Sequence, residues 1–497
     1  MRNIAKTLLA VLGVGCCGVA MSQTDDDKFR AEFEAFKQQA QNEFNTFKHD
    51  AKKEYEEFRR KANEEYANFM ATPWTSFESQ EAMKAPKSPK PPIPEIKKPE
   101  APEQEEEEEL AFEMVIPEPE QYTMPEPPVP IEVPEAPTKN VLKFSYYNTE
   151  CNLRMDDNIR FSLDDVSEKA VSEAWKKLSG KHSDAFVADC LKLRKNMHLC
   201  DWGYVTLLDS VASTVFGKRT NEAVVLQMYV LTQSGYNVRI ARANNKLVLL
   251  LPVMETLYNH LYLTIDDEKY YVIDQTDAGS FKVFNHAFPK EKVSSLRIRN
   301  IPNFENAKVD TRTFGAEAYP ELKVSVNVNK NLVDFYNSYP VGDWNNYVSA
   351  SLSNEVKANL YPILKKHIAG RKQEEAANIL INFVQTAFEY QVDDEQFGYE
   401  RPLFADETFY YPYSDCEDRS ILFSILVREL LNLDVVLLNY PGHLATAVHF
   451  TDNIEGDYMT IDNKKYIVCD PTYIGATIGE AMPQYKNEKA KIVKVAN

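Results

Sequence analysis

Tyr411-Pro412-Tyr413-Ser414-Asp415-Cys416-Glu417-Asp418-Arg419-Ser420, with the stretch that follows it to Phe450, decides how the C-terminal part of this chain is built. Ile421, Leu422, Ile425, Leu426 and Leu430 recur at helical spacing, so a helix is predicted to begin near Cys416. A strand is predicted over Leu433 to Leu438, then the turn Asn439-Tyr440-Pro441-Gly442, then a second strand opened by His443 and ending near Phe450. After the acidic turn Asp452 to Asp457, Met459 to Ile461 and Lys465 to Cys469 read as a hairpin that ends in Asp470-Pro471-Thr472. Pro471 cannot donate to a ladder and stops the last strand. The fold class is α+β.

This order brings three reactive residue types into one helix-strand-strand unit. A cysteine at a helix N-terminus meets unpaired backbone N–H groups and the positive end of the helix dipole, which favour the thiolate and can hold an oxyanion. Glu417 and Asp418 oppose the thiolate and are read as ordinary first-turn capping residues. His443, Ala445, Ala447 and His449 share one face of their strand, so the period alone does not choose between the two imidazoles. Asp470, at the end of a neighbouring strand, could accept a hydrogen bond from the ring and fix its tautomer. Singly, a buried cysteine is usually core, a strand histidine usually structural and Asp-Pro usually a turn. Their order in one unit points to Cys/His/Asp chemistry.

The runs Tyr411 to Ser420, Tyr440-Pro441-Gly442-His443-Leu444-Ala445 and Cys469-Asp470-Pro471-Thr472-Tyr473 resemble the bacterial transglutaminase-like superfamily. The resemblance covers about residues 370 to 480. Upstream it is fainter, through Asp201-Trp202-Gly203-Tyr204 and Ser234-Gly235-Tyr236, towards exported Bacteroidetes-type architectures. It implies a papain-like α+β core with Cys416 as nucleophile, His443 as base and Asp470 as orienting acid. The Gly-His pattern of that superfamily favours His443 over His449. Ala445 stands where the superfamily often has an aromatic residue, which removes any inherited specificity.

A remote internal duplication lies upstream. Thr220 to Leu226, Val238-Arg239-Ile240 and Tyr271-Val272-Ile273-Asp274-Gln275-Thr276 run helix, strand, strand, as Asp415 to Asp418, Val435 to Leu438 and Tyr466 to Thr472 do later. Asp274 then corresponds to Asp470, the place of Cys416 falls on Thr220 or Asn221, and no histidine stands at the place of His443. Chance likeness of two α+β segments is the alternative.

Before these modules, Phe33, Phe36 and Ala40 recur as Phe44, Phe47, Ala51, then Tyr55, Phe58, Ala62, then Tyr66 and Phe69, an eleven-residue repeat that keeps one aromatic stripe on a helix. The stripe forms a nearly straight coiled coil or docks on a partner, or else it packs within its own chain or belongs to a solvated, partly formed helix. The proline- and glutamate-rich stretch that follows is expected to be a disordered spacer reaching on the order of 150 Å in polyproline II form. Arg2, Lys6, the apolar run Leu8 to Val19 and Ala20-Met21-Ser22 read as a secretory signal, with lipid attachment at Cys16 or Cys17 the lesser alternative. The expected divisions are 1–22 signal peptide, 23–83 helix, 84–139 linker, 140–305 degenerate transglutaminase-like domain, 306–368 connector and 369–497 catalytic domain.

The formal net charge of −19 argues against nucleic acid as a partner. Beyond the leader lie Cys151, Cys190, Cys200, Cys416 and Cys469, an odd number that leaves at least one thiol free or pairs between chains. Cys190 and Cys200 are close enough in sequence for a small disulfide loop. No metal ligand set and no cofactor are expected. The expected function is amide-directed acyl transfer through a thioester, on protein or peptide substrates such as cell-wall peptide, with hydrolysis favoured over crosslinking and action outside the cytoplasm. The alternative is a non-catalytic binding or scaffold protein. Geometry discriminates, because a Cys416 sulfur sealed or beyond hydrogen-bond reach of His443 and His449 favours the scaffold.

Overall fold

A long helix, α1 (Gln23–Met70), opens the described part of the chain in this computed structural model, which describes residues 23–85, 97, 107–116, 122–125 and 140–495. The expected signal peptide and Cys16 and Cys17 lie outside the described residues. The chain divides into two units, Met1–Ala62 and Asn63–Asn497. In the first unit Phe33, Phe36, Phe44, Phe47 and Phe58 of the aromatic stripe are all exposed. In the second, Tyr66 at the last repeat is buried, with its ring 4.8 Å from Trp175 and 4.9 Å from Phe284. One repeat of the stripe therefore serves as core. No helix among the described residues is long and apolar enough to cross a membrane.

The second unit is α+β and holds two six-stranded sheets. The first is built from β1 (Thr75–Glu78), β3 (Arg239–Ala243), β4 (Lys246–Pro252), β5 (Tyr262–Ile265), β6 (Glu268–Val272) and β7 (Ser280–Phe284), and the second from β2 (Phe112–Ile116), β8 (Asp434–Tyr440), β9 (His443–His449), β10 (Tyr458–Ile461), β11 (Lys464–Cys469) and β12 (Ala490–Lys494). The spatial orders are β1-β7-β3-β4-β6-β5 and β2-β12-β8-β9-β11-β10. The order is the same, although the edge strand β1 is antiparallel to β7 while β2 is parallel to β12. In each sheet the five strands other than the edge strand β1 or β2 follow one helix, α2 (Asn221–Gln233) or α3 (Cys416–Leu431). The likeness of the two segments therefore extends to their strand order.

Register makes the correspondence residue by residue. Ala243 pairs with Lys246 at the first hairpin as Tyr440 pairs with His443 at the second, so Lys246 stands at the place of His443. Leu250 pairs with Val272 as Ala447 pairs with Val468, so Asp274 stands at the place of Asp470. Asn221 and Cys416 are each the first residue of their helix, behind Thr220 and Asp415.

The expected spacer is not uninterrupted. Leu110 and Phe112 pack into the core of the second sheet, and β2 runs parallel to β12. Tyr122 donates to Asp201, and Arg194 donates to Pro125 O at 3.4 Å. The signal was the apolar run Leu110 to Ile116, which was absorbed into the surrounding proline composition. A strand added at a sheet edge by a distant segment leaves almost no local trace. The cysteine pairing also fails, since Cys190 and Cys200 are both free thiols.

Candidate active site

Helix α3 begins at Cys416 because Asp415 is extended and Asp418 accepts from its backbone N–H at 3.3 Å. Asn432, left-handed at φ 55°, ends it. Two buried residues fix the loops on either side. Arg419, fully buried, donates to Gln385 O at 3.1 Å, Phe388 O at 2.8 Å and Ser414 Oγ at 3.2 Å. Gln385 donates to Asp470 O at 3.2 Å, Tyr473 O at 2.8 Å and Ala476 O at 3.1 Å, which clamps the turn after Asp470. Ser420 ties the helix to β9 by donating to Leu444 O at 2.7 Å.

The imidazole and the carboxylate are together. His443 Nε2–H donates to Asp470 Oδ2 at 2.7 Å, and Asp470 Oδ1 accepts from Thr472 N at 2.9 Å. That bond puts the ring proton on Nε2 and leaves a lone pair on Nδ1, which is enclosed and has no hydrogen-bond partner. The ring stacks on Tyr485, 4.7 Å between centroids, and shares its face of the sheet with Tyr440, Ala445 and Ala447. His449 is spent elsewhere, its Nδ1–H donating to Lys465 O at 2.9 Å.

The sulfur is placed differently. Cys416 is 1% exposed, and its thiol donates to Glu417 Oε2 at 3.0 Å rather than to either histidine. No residue of α3 belongs to the apolar cluster that holds the His443 face. Burial, then the carboxylates of Glu417 and Asp415, push the thiol well above its ordinary range, while the Leu444 N–H facing the sulfur works the other way. In this arrangement the thiol is protonated at neutral pH, and burial and anions outweigh the helix terminus.

Beside the sulfur lies a group of acids, of which Glu417 and Asp418 alone are expected from the sequence as helix-capping residues. Asp393, Asp415, Glu417 and Asp418 are all buried. Burial and then Asp418 push Asp393 up to about 9, and burial and then Glu417 push Asp418 up to about 8. A cavity of about 230 Å³ reaches this group, lined by Tyr258 and Trp344 on one side and by Glu400, Glu417 and Lys491 on the other.

In the first module the equivalent places are simpler. Asn221 Oδ1 accepts from Leu247 N at 2.8 Å, the amide equivalent to the Leu444 N–H that faces Cys416. Arg219 Nε donates to Asp274 at 2.8 Å, and Leu249 N donates to it at 2.7 Å, so the acid is already paired. Lys246 is exposed. This module has neither nucleophile nor base at the mapped positions.

The site thus defines an α+β protein with a cysteine at a helix N-terminus and a histidine-aspartate pair on adjoining strands. Comparison with known proteins finds no matching family model, no matching curated protein and no matching solved structure.

Proposed function

We propose that the second module is a transglutaminase-like cysteine hydrolase with a papain-type core, acting on amide or peptide bonds, whose Cys416 must first leave its sealed place beside Glu417. The observation that carries this reading is the His443 ring, bonded to Asp470 through Nε2 with a buried, unpartnered Nδ1, on the residue next to the amide that faces Cys416. A buried acceptor without a donor is costly, and a thiol proton would satisfy it. His443 and Leu444 are successive residues of β9 with side chains on opposite faces, so the reaction requires a rearrangement in which the Cys416 thiol leaves Glu417, reaches His443 Nδ1 and passes its proton there. The thiolate adds to the carbonyl carbon, the imidazolium protonates the departing amine, and water then cleaves the thioester with His443 as base. Asp470 keeps the ring oriented throughout. Cell-wall peptide is the substrate class we favour, with hydrolysis ahead of crosslinking, for an exported protein as residues 1–22 suggest.

The same sulfur favours a second reading, a non-catalytic scaffold of two like modules, because the thiol is sealed and bonded to a carboxylate.

One experiment separates them. The native chain and its Cys416→Ala and His443→Ala variants are treated with a thiol-directed electrophile and then assayed for amine release from a peptide library. Under the enzymatic reading, native protein is labelled at Cys416 and amine release falls at least a hundredfold in both variants. Absence of Cys416 labelling and of turnover in the native chain leaves the scaffold.

A further inference from the structure

We propose that the buried acids beside Cys416 form a binding site for a hard divalent cation, calcium by size. One oxygen from each of Asp393, Glu400 and Glu417 lies within 4.8 Å of the others, and the same holds for Asp393, Asp415 and Asp418. Calcium binds oxygens at about 2.3–2.6 Å, so ligands on opposite sides of one ion stand up to about 5 Å apart. Carboxylates alone, with no imidazole or thiolate required, suit a hard cation.

A second observation points to a ligand. Asp393 Oδ1, Asp415 Oδ1 and Glu417 Oε1 are enclosed and unpartnered, on residues no more than 2% exposed. Buried carboxylate oxygens that face no donor are strongly disfavoured, and a cation offers several of them a partner at once. The nearby guanidiniums bond to none of these three oxygens. Arg419 holds main-chain carbonyls and Ser414, and Arg401 pairs with Glu407 through Nη2 and donates its backbone N–H to Asp393 Oδ2 at 2.6 Å, its Nη1 being buried without a partner. The cavity lined by Glu400 and Glu417 supplies a route in.

The fold does not need these acids. In the first module the places of Asp415, Glu417 and Asp418 are held by Thr220, Glu222 and Ala223. Its one acid, Glu222, accepts from Leu163 N at 3.1 Å. A helix of the same kind therefore starts on one carboxylate where α3 gathers several. This inference does not rest on the proposed chemistry, since its readout is binding.

The test is a titration of the full chain with calcium alone, followed by calorimetry and by thermal unfolding. The expected result is saturable one-site binding and a rise in the unfolding midpoint, with affinity lowered at least tenfold in Asp393→Asn and in Glu417→Gln. Glu400→Gln, at the less buried rim, keeps the test decisive if the deeper variants fail to fold, and is expected to weaken binding in the same direction. The absence of saturable binding to the native chain overturns the proposal, as does affinity unchanged in folded variants. Tighter binding of magnesium than of calcium overturns the assignment by size.

Discussion

The two sheets of the second unit have one strand order and different contents. At the first residue of the helix stands Asn221 in one and Cys416 in the other, at the start of the second hairpin strand Lys246 and His443, and at the end of the later strand Asp274 and Asp470. Each helix residue meets the amide of the equivalent strand residue, Leu247 or Leu444. Of the three pairs, only the acid is shared. In the first module it is neutralised by Arg219, and in the second it holds an imidazole. Buried acids differ in the same way. Asp201 in the first module is saturated, by Tyr122, Tyr236 at 2.6 Å, Arg194 at 2.9 Å and Ser295 N at 2.9 Å. The second module leaves acceptors open at Asp393, Asp415 and Glu417. Among the described residues, buried carboxylate oxygens without a partner thus occur in the second module alone, and unsatisfied groups of that kind collect where a protein does something besides fold.

The largest expected effect tests whether the second module depends on its buried charge. Arg419 occupies the helix position that Val224 holds in the first module, and its removal leaves two main-chain carbonyls without donors. Arg419→Ala should cost roughly 3–5 kcal/mol in denaturant unfolding, against about 1–3 kcal/mol for Val224→Ala. Equal costs would mean that the two helices are held alike.

A smaller effect is read from pH. Burial raises Asp406 from its ordinary 3.8 to about 6, against the lowering effect of its hydrogen bonds from Ser353. Here the folded state holds the proton more tightly than the unfolded chain. Stability from this group is therefore present below about pH 4, is lost as the pH rises towards about 6, and then stays lost. The loss is of order 3 kcal/mol at ~1.4 kcal/mol per unit. Asp406→Asn should flatten that part of the stability profile, measured by chemical unfolding between pH 4 and pH 7. An unchanged slope would assign the pH dependence to other acids.

The smallest effect sharpens the comparison most. Lys246→His restores an imidazole at the equivalent place in the first module, where the helix offers Asn221 and Arg219 already holds the acid. Stability should change by less than about 0.5 kcal/mol, and thiol labelling and amine release should not change at all. A gain of either activity would break the account of why the modules differ.

Local pattern made much of this legible. Apolar spacing after Cys416, the turn at Pro441-Gly442 and the stop at Pro471 mark a helix, a hairpin and a strand end, and the structure has α3 from Cys416, β9 from His443 and β11 ending at Cys469. The equivalence of Asp274 and Asp470 was also legible, because the motif around each acid is continuous in sequence. Less legible was β2, whose strand propensity is expressed only against β12, hundreds of residues away. The acid group was missed for the same reason. Glu417 and Asp418 are explained locally as caps, and Asp393 and Glu400 join them and Asp415 only through the packing of an upstream loop.

The sequence by itself determined which residues begin and end the elements, since helix periodicity, turns and proline act over a few neighbours. The tertiary structure decided what those residues face. It turned His443 towards Asp470 and Tyr485, gave the Cys416 thiol to Glu417, and enclosed several carboxylates with too few donors. Direction and burial depend on partners distant in the chain, and the strength of a charge depends on how much water those partners exclude.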